Sequence, residues 1–155
     1  EGLKFEKLRS KSVMPVCSPQ LLTGEHKIRT PEDLQHHVLL HDQSPETDPS
    51  CPDWKSWLAA RNVSDVDGGR GPRFNQAALV VEAAVAGRGV ALAKRAIAAA
   101  DLESGRLVAP FADGALDIAF AYWTVWPRGR TQSRIAREFI KWLKSEAEDE
   151  QVVGV

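Results

Sequence analysis

The chain has 155 residues, 43% of them hydrophobic, so it can bury a full core and form one domain or a domain plus part of another. Its 20 basic and 21 acidic side chains nearly cancel and the basic residues are scattered, which excludes the basic surface typical of nucleic-acid-binding domains. Two cysteines are too few for a disulfide framework, and no apolar run reaches the roughly 18 residues that a membrane span requires. We therefore expect a cytoplasmic protein that does not bind membranes.

The first predicted elements are a strand, two helices and a second strand. Residues 12–16 form a short apolar run typical of a strand, after which Ser18 and Pro19 supply a helix cap and the proline favoured at the first helical position. Residues 30–33 predict the start of a second helix, because they supply a capping hydroxyl, a proline at the first helical position and acidic residues in the first turn. The apolar run at residues 38–40 then predicts another strand.

The middle of the chain contains the most informative element, a buried helix over residues 75–86. Before it, Asp53 can cap a short helix that carries two tryptophans at packing positions. After it, Gly87 suits the left-handed residue that follows a helix end. Residues 89–93 then predict a strand that is apolar on both faces, as in a parallel sheet.

The remaining elements extend the alternation of helix and strand. A helix over residues 94–103, strands over 106–110 and 117–126, and an amphipathic helix from about 133 to 145 complete the pattern. The acidic residues 146–150 add negative charge at the negative end of the helix dipole, so we expect this end to fray into a solvated tail. The whole pattern, without internal repeats, predicts an α/β architecture with a largely parallel sheet.

The polar residues at the start of the buried helix form a candidate ligand site. The first N–H groups of a helix lack internal partners and carry the positive end of the dipole. A helix that begins through Phe74, Asn75 and Gln76 can therefore receive a carboxylate or a phosphate. The alternative is that Asn75 is only an N-cap whose side chain closes the first turn.

The sequence contains no good constellation for catalysis or metal binding. A nucleophilic enzyme needs a base near Cys17 or a serine, but the four histidines cluster within residues 26–41, and no Gly-x-Ser-x-Gly elbow or phosphate loop occurs. His36, His41 and Asp42 could supply metal ligands only from one strand and the residues that lead into it. We therefore predict that the protein is not an enzyme, and we predict no catalytic residue, metal or cofactor.

Several separated blocks of the sequence resemble the effector-binding domain of LysR-type transcriptional regulators. The order and spacing of these blocks also match, and the blocks are 15–22, 39–41, 54–58, 71–74, 83–92 and 105–111. The resemblance is to the branch of the family that includes the glycine-cleavage activator and the regulator of chromosomal β-lactamase. It spans nearly all of residues 1–143.

The resemblance implies a type II periplasmic-binding-protein-like fold. In this fold two α/β subdomains are joined by two crossover strands and hold a small effector in the cleft between them. The alignment places residues 1–16 and 122–145 in a partial first subdomain, 17–121 in the second subdomain, and 146–155 in a C-terminal tail. It also implies that the first part of the first subdomain is missing from this chain.

The resemblance implies a function and partners as well. The chain would be the effector-sensing domain of a bacterial transcriptional regulator. The regulator would bind DNA through an N-terminal winged helix-turn-helix outside this chain. It would also form homodimers or homotetramers and contact RNA polymerase. The cleft residues of the family with counterparts here are Phe74, Asn75, Gln76, Tyr122 and Trp123. The alternative from another class is the solute-binding protein of a transport system, which has the same two-lobed architecture.

Overall fold

The structure is a computed structural model that describes residues 2–44, 51–129 and 131–152, without the side chains of residues 8–11, 119–122 and 147–152. The strands are β1 (Leu3–Val16), β2 (Leu39–Asp42), β3 (Arg73–Phe74), β4 (Val90–Lys94) and β5 (Leu116–Pro127). The α-helices are α1 (Trp54–Ala59), α2 (Ala77–Val85), α3 (Arg95–Glu103) and α4 (Arg134–Val152). Two short 3-10 helices span Pro19–Leu22 and Pro31–His36.

The chain forms two compact units, which are described separately below. Unit 1 comprises residues 1–11 and 119–155, and unit 2 comprises residues 12–118. The long strands β1 and β5 each contribute residues to both units, so the chain passes between the units twice. The subdomain boundaries inferred from the resemblance lie a few residues further along each strand, and they stay a prediction.

The strands form a mixed sheet with the order β3-β2-β4-β1-β5. β2 is parallel to both of its neighbours, with Asp42 opposite Phe74 of β3 and Leu39 opposite Val90 of β4. β1 is antiparallel to β4. The predicted parallel pairing is thus confirmed for β2 and β4. β3, which the sequence did not predict, extends the parallel part of the sheet, and β1 runs in the opposite direction.

Successive residues of the central strands belong to two different buried clusters. Leu39 of β2 packs in a cluster with Trp54 and Trp57 of α1, and the next residue, Leu40, packs in a second cluster with Val81 of α2. Because successive side chains of a strand point to opposite faces, helices cover both sides of the sheet. This arrangement confirms the predicted α/β architecture.

Two strands differ in extent from the prediction. β1 begins at Leu3 rather than at residue 12, because apolar and charged residues alternate from Leu3 to Glu6 in the manner of a strand with one apolar face. The predicted strand over residues 106–110 is reduced to one bridge, in which the N–H groups of Cys17 and Val108 donate to each other's carbonyl oxygens. The proline that ends this segment has no N–H with which to extend the pairing.

α4 continues to Val152, beyond the end near residue 145 that the sequence predicted. Acidic side chains near a helix C-terminus cost about 0.3–1 kcal/mol each. Glu and Ala are strong helix formers, however, and each further residue adds a backbone hydrogen bond, so the helix extends through the acidic segment. None of the helices in the described ranges combines the length and the apolar composition that a membrane span needs.

Candidate functional site

The start of α2 lies in unit 2, directly after β3. Gln76 is the N-cap residue, with φ −135° and ψ 125°, and its side chain makes no capping hydrogen bond. Asn75 lies one position earlier, and the side chains of both residues are exposed. The alternative that Asn75 caps the helix is therefore wrong, because α2 begins at Ala77 and Asn75 lies outside its first turn.

Backbone pairing with β2 positions the segment that leads into α2. The N–H of His41 donates to the Pro72 carbonyl oxygen at 3.0 Å, and the N–H of Gln43 donates to the Phe74 carbonyl oxygen at 2.8 Å. Because β2 and β3 are parallel, their carboxyl ends lie at the same edge of the sheet. The start of α2 therefore lies at the same edge as Asp42, the last residue of β2.

A cavity of about 80 Å³ lies at this edge of unit 2. Its lining includes Asp42 at the end of β2, Lys94 at the end of β4, and Arg73 of β3. Among the described residues that line the cavity, none is a predicted site residue, although Arg73 directly precedes Phe74. The cavity and the start of α2 are thus separate features of one sheet edge.

The cavity lies where the chain leaves neighbouring strands in opposite directions. From β2 the chain crosses through α1 to β3 on one side, and from β4 it continues through α3 to β5 on the other side. In open α/β sheets, ligands bind at such switch points, outside the carboxyl ends of the strands. Topology therefore favours this cavity of unit 2 as a ligand site.

Four charged side chains belong to the described lining of the cavity, namely Asp42, Asp53, Arg73 and Lys94. Asp53 is engaged as the N-cap of α1, where its Oδ1 accepts hydrogen bonds from the Ser56 N–H at 2.8 Å and from the Ser56 hydroxyl at 2.7 Å. Burial acts to raise the pKa of Asp53, but the hydrogen bonds from Ser56 outweigh it and leave that pKa below its usual value. Asp53 is therefore ionised at neutral pH and committed to the helix.

The other three charged groups differ in how fully they are paired. Arg73 donates from Nη2 to the Gly69 carbonyl oxygen at 3.2 Å, and Asp42 accepts on Oδ1 from the Ser44 N–H at 2.8 Å. Lys94 has no side-chain hydrogen bond or ion pair within the described part of the chain. Of the two described cations in the lining, Lys94 is therefore the one whose side chain makes no hydrogen bond or ion pair.

Sequence reasoning missed Arg73 and Lys94, and it considered Asp42 only as a weak metal ligand. The position of Asp42 and Lys94 in the sequence could have indicated the site, because they are the charged residues that end two buried strands. Parallel strands bring such residues to one edge of the sheet, which is where ligands bind.

The remaining predicted site residues, Tyr122 and Trp123, lie on β5 in unit 1. The side chain of Tyr122 lies outside the described residues. The Trp123 ring is half exposed and packs edge-on against Phe5 of β1, with the ring centroids 5.7 Å apart. That these two residues contact the same ligand as Phe74, Asn75 and Gln76 stays a prediction.

The side chains considered for catalysis or metal binding are buried, hydrogen-bonded to the backbone or stacked on one another. Burial raises the pKa of the Cys17 thiol to about 11, so the thiol is protonated at neutral pH and is a poor nucleophile. The His41 Nε2 atom lies 2.7 Å from the Arg70 carbonyl oxygen, which can only accept, so Nε2 carries the proton and donates. The rings of His26 and His36 stack with centroids 4.7 Å apart. Over the described ranges, no group of three or more His, Cys, Asp and Glu residues could hold a metal ion.

Comparison with known proteins identifies the family. Residues 1–148 match the family described as the LysR substrate binding domain. The chain belongs to this family. The LysR domain is 39% identical to the glycine cleavage system transcriptional activator of Escherichia coli (strain K12) over 150 residues, which are 97% of this chain and 47% of that protein. It is 32% identical to the transcriptional regulator DsdC of the same strain over 140 residues, 90% of this chain and 44% of that protein.

Solved structures show the same fold. The effector domain of the transcriptional regulator AmpR of Pseudomonas aeruginosa has a TM-score of 0.67 at 25% identity, and the match covers 97% of this chain and 68% of that one. The AmpR effector binding domain from Citrobacter freundii has a TM-score of 0.69 at 27% identity, with coverages of 95% and 68%. The LysR domain therefore has the type II periplasmic-binding-protein-like fold of these effector domains. It spans about half the length of the curated relatives it matches, which are transcriptional regulators and not enzymes.

Proposed function

We propose that this LysR domain senses a small polar effector and thereby controls transcription by a bacterial regulator. The observation that carries the proposal is the match of residues 1–148 to the LysR substrate binding domain. The geometry of unit 2 supports it, because an exposed helix start and a charged cavity share the carboxyl edge of the sheet. The alternative role in a transport system has no support from the relatives.

The effector acts by favouring one of two conformations of the regulator. A ligand shifts such an equilibrium only by its difference in affinity for the two conformations. We propose that the residues supplying this difference are Phe74, Asn75, Gln76, Tyr122 and Trp123. The helix start contributes backbone N–H groups and a positive dipole end, which favour a hydrogen-bond acceptor on the effector.

The partners of the whole regulator belong to the same proposal. We propose that it binds DNA through a separate winged helix-turn-helix, acts in the cytoplasm as a homodimer or homotetramer, and contacts RNA polymerase. The relatives that the chain matches over about half their length are transcriptional regulators, which supports DNA binding by the remaining part. The nearly balanced charge of this domain, 20 basic against 21 acidic residues, is consistent with DNA binding elsewhere.

The first test is a thermal-shift screen of the 155-residue chain against a library of small polar metabolites, with hits measured by isothermal titration calorimetry. An effector should raise Tm, because a ligand at 100 times its Kd stabilises a protein by about 2.7 kcal/mol. If no compound in the library shifts Tm or gives heat above buffer, the sensing function is wrong.

The second test assigns the site. Asn75→Ala and Trp123→Ala should each weaken effector binding by about 10-fold, the worth of one lost hydrogen bond or ring contact, while far-UV circular dichroism stays unchanged. Gln35→Ala is the matched control, because Gln35 is an exposed amide in the 3-10 helix that precedes the amino end of β2. Full affinity in both site variants would place the effector elsewhere.

A further inference from the structure

Lys94, at the carboxyl end of β4, is a cation without a partner among the described residues. Its backbone is fixed by pairing with Val13 of β1, and its side chain is half-buried along the cavity of unit 2. No described residue accepts a hydrogen bond from its ammonium group. A partly desolvated cation without a counter-charge costs free energy, and an anionic ligand group at this position would offset that cost.

Asp42 is the corresponding acid at the carboxyl end of β2. The parallel pairing of Leu40 with Ala91 holds β2 beside β4, so that Asp42 and Lys94 line the same cavity. One oxygen of Asp42 accepts from the Ser44 N–H at 2.8 Å, and the other has no partner among the described residues. Asp42 and Lys94 thus present opposite charges to one cavity and form no ion pair with each other, so a ligand that carries both charges complements the two.

Three other polar side chains of the described cavity wall are already engaged. Asp53 is held by Ser56, Arg73 donates to the Gly69 carbonyl oxygen, and the Trp54 indole N–H donates to the Leu40 carbonyl oxygen at 3.0 Å. An accessible volume of about 10–15 Å³ is enough to hold one water molecule. The cavity, with an accessible volume of about 80 Å³, therefore has room for a head group of a few non-hydrogen atoms.

We infer that this cavity binds the head group of an α-amino acid, whose carboxylate contacts Lys94 and whose ammonium group contacts Asp42. The inference rests on the proposed function, since it names the chemical class of the effector. A simple carboxylic acid would leave Asp42 unpaired, and a simple amine would leave Lys94 unpaired, so each binds more weakly than the zwitterion. The side chain of the amino acid extends out of the cavity.

The test of ligand chemistry is calorimetry of the 155-residue chain with matched sets of compounds. The standard α-amino acids are titrated first. Each one that binds is compared with the 2-hydroxy acid and the simple carboxylic acid of the same skeleton, as in alanine, lactate and propionate. We expect the amino acid to bind at least about 10-fold more tightly than either analogue, because only it satisfies both charges.

The test of the residues uses charge-removing variants. Lys94→Gln and Asp42→Asn should each lower amino-acid affinity by about 10- to 100-fold, as expected for a lost charge-assisted hydrogen bond. Lys94→Arg retains the cation and should retain most of the affinity. Arg88→Gln is the control, because Arg88 is exposed and precedes the amino end of β4, and it should leave affinity unchanged. The Tm of each variant without ligand verifies folding.

The outcomes separate this inference from the function it rests on. Equal affinity for the three members of a set, or full affinity in both Lys94→Gln and Asp42→Asn, overturns the amino-acid assignment. If the metabolite library yields an effector of another class and no amino acid binds, the assignment fails while the sensing function stands. If neither the library nor the amino acids contain a ligand, both fail.

Discussion

At the scale of single residues, Asp33 fixes the start of a 3-10 helix. Its Oδ2 accepts hydrogen bonds from the N–H groups of Thr30, at 2.9 Å, and Arg29, at 2.8 Å. These bonds, the one from Thr30 above all, hold the pKa of the Asp33 carboxyl below its usual value. The ionised carboxylate is therefore favoured by folding, and it stabilises the folded chain at neutral pH.

Asp33→Ala should lower the free energy of unfolding by about 1 kcal/mol at neutral pH, the usual net contribution of such hydrogen bonds. Because the pKa is lower in the folded chain, the contribution is complete above the unfolded value of about 3.9 and is lost as pH falls through the folded value. Urea unfolding of both proteins at a series of pH values measures the difference. A difference that does not shrink in acid would contradict the assignment.

Gly71 determines where β3 lies. Its φ is +107°, and a Cβ added there would lie 1.9 Å from the carbonyl oxygen of Leu39, which belongs to β2. Only glycine permits this approach of the two backbones. The close contact lies two residues before Arg73, so it helps to position both the cavity wall and the start of α2.

At the scale of elements, the position of β3 depends on this glycine. Gly71→Ala should lower the free energy of unfolding by about 3 kcal/mol or more, because left-handed backbone strain of about 1–2 kcal/mol adds to a clash that only backbone movement can relieve. Gly105→Ala is the matched control, since Gly105 has φ +73° and no atom of the described residues lies within 4 Å of an added Cβ. The control should cost only about 1–2 kcal/mol. Equal losses in urea unfolding would contradict the described contact between Gly71 and β2.

Elements with local signals could be predicted from the sequence, and elements that depend on distant contacts could not. Asp53 accepts from the Ser56 N–H as a helix cap, and Gly87 has φ +70° after α2, both as predicted. The two-residue strand β3 has no pattern of its own, because it exists through pairing with β2. For the same reason the cavity was missed, because Asp42 and Lys94 line one cavity only through the register of β2 with β4.

At the scale of the whole molecule, burial is concentrated in unit 2. Both buried clusters of the described structure consist of residues between Val13 and Ile118. In unit 1, by contrast, large apolar side chains are exposed, including Phe5 at 65% and, on α4, Ile135 at 82% and Phe139 at 55%. Stability therefore depends mainly on unit 2, and so does the sheet edge that forms the candidate site.

Hydrogen exchange of the 155-residue chain should show this difference. Amides of β2 and β4 should exchange slowest, near the rate set by global unfolding, because they lie between two buried clusters. Amides of α4 should exchange earlier, through local opening, because the helix has a half-exposed apolar face. Protection of α4 equal to that of β4 would show that unit 1 is as stable as unit 2.

The most direct test of effector sensing at the carboxyl edge of unit 2 is a heteronuclear NMR titration of the chain with the ligand found by calorimetry. The largest saturable shifts should fall on the backbone amides of Asp42, Gln43, Asn75, Gln76 and Lys94, which lie along that edge. Saturable binding whose shifts avoid all five amides would contradict the assigned site.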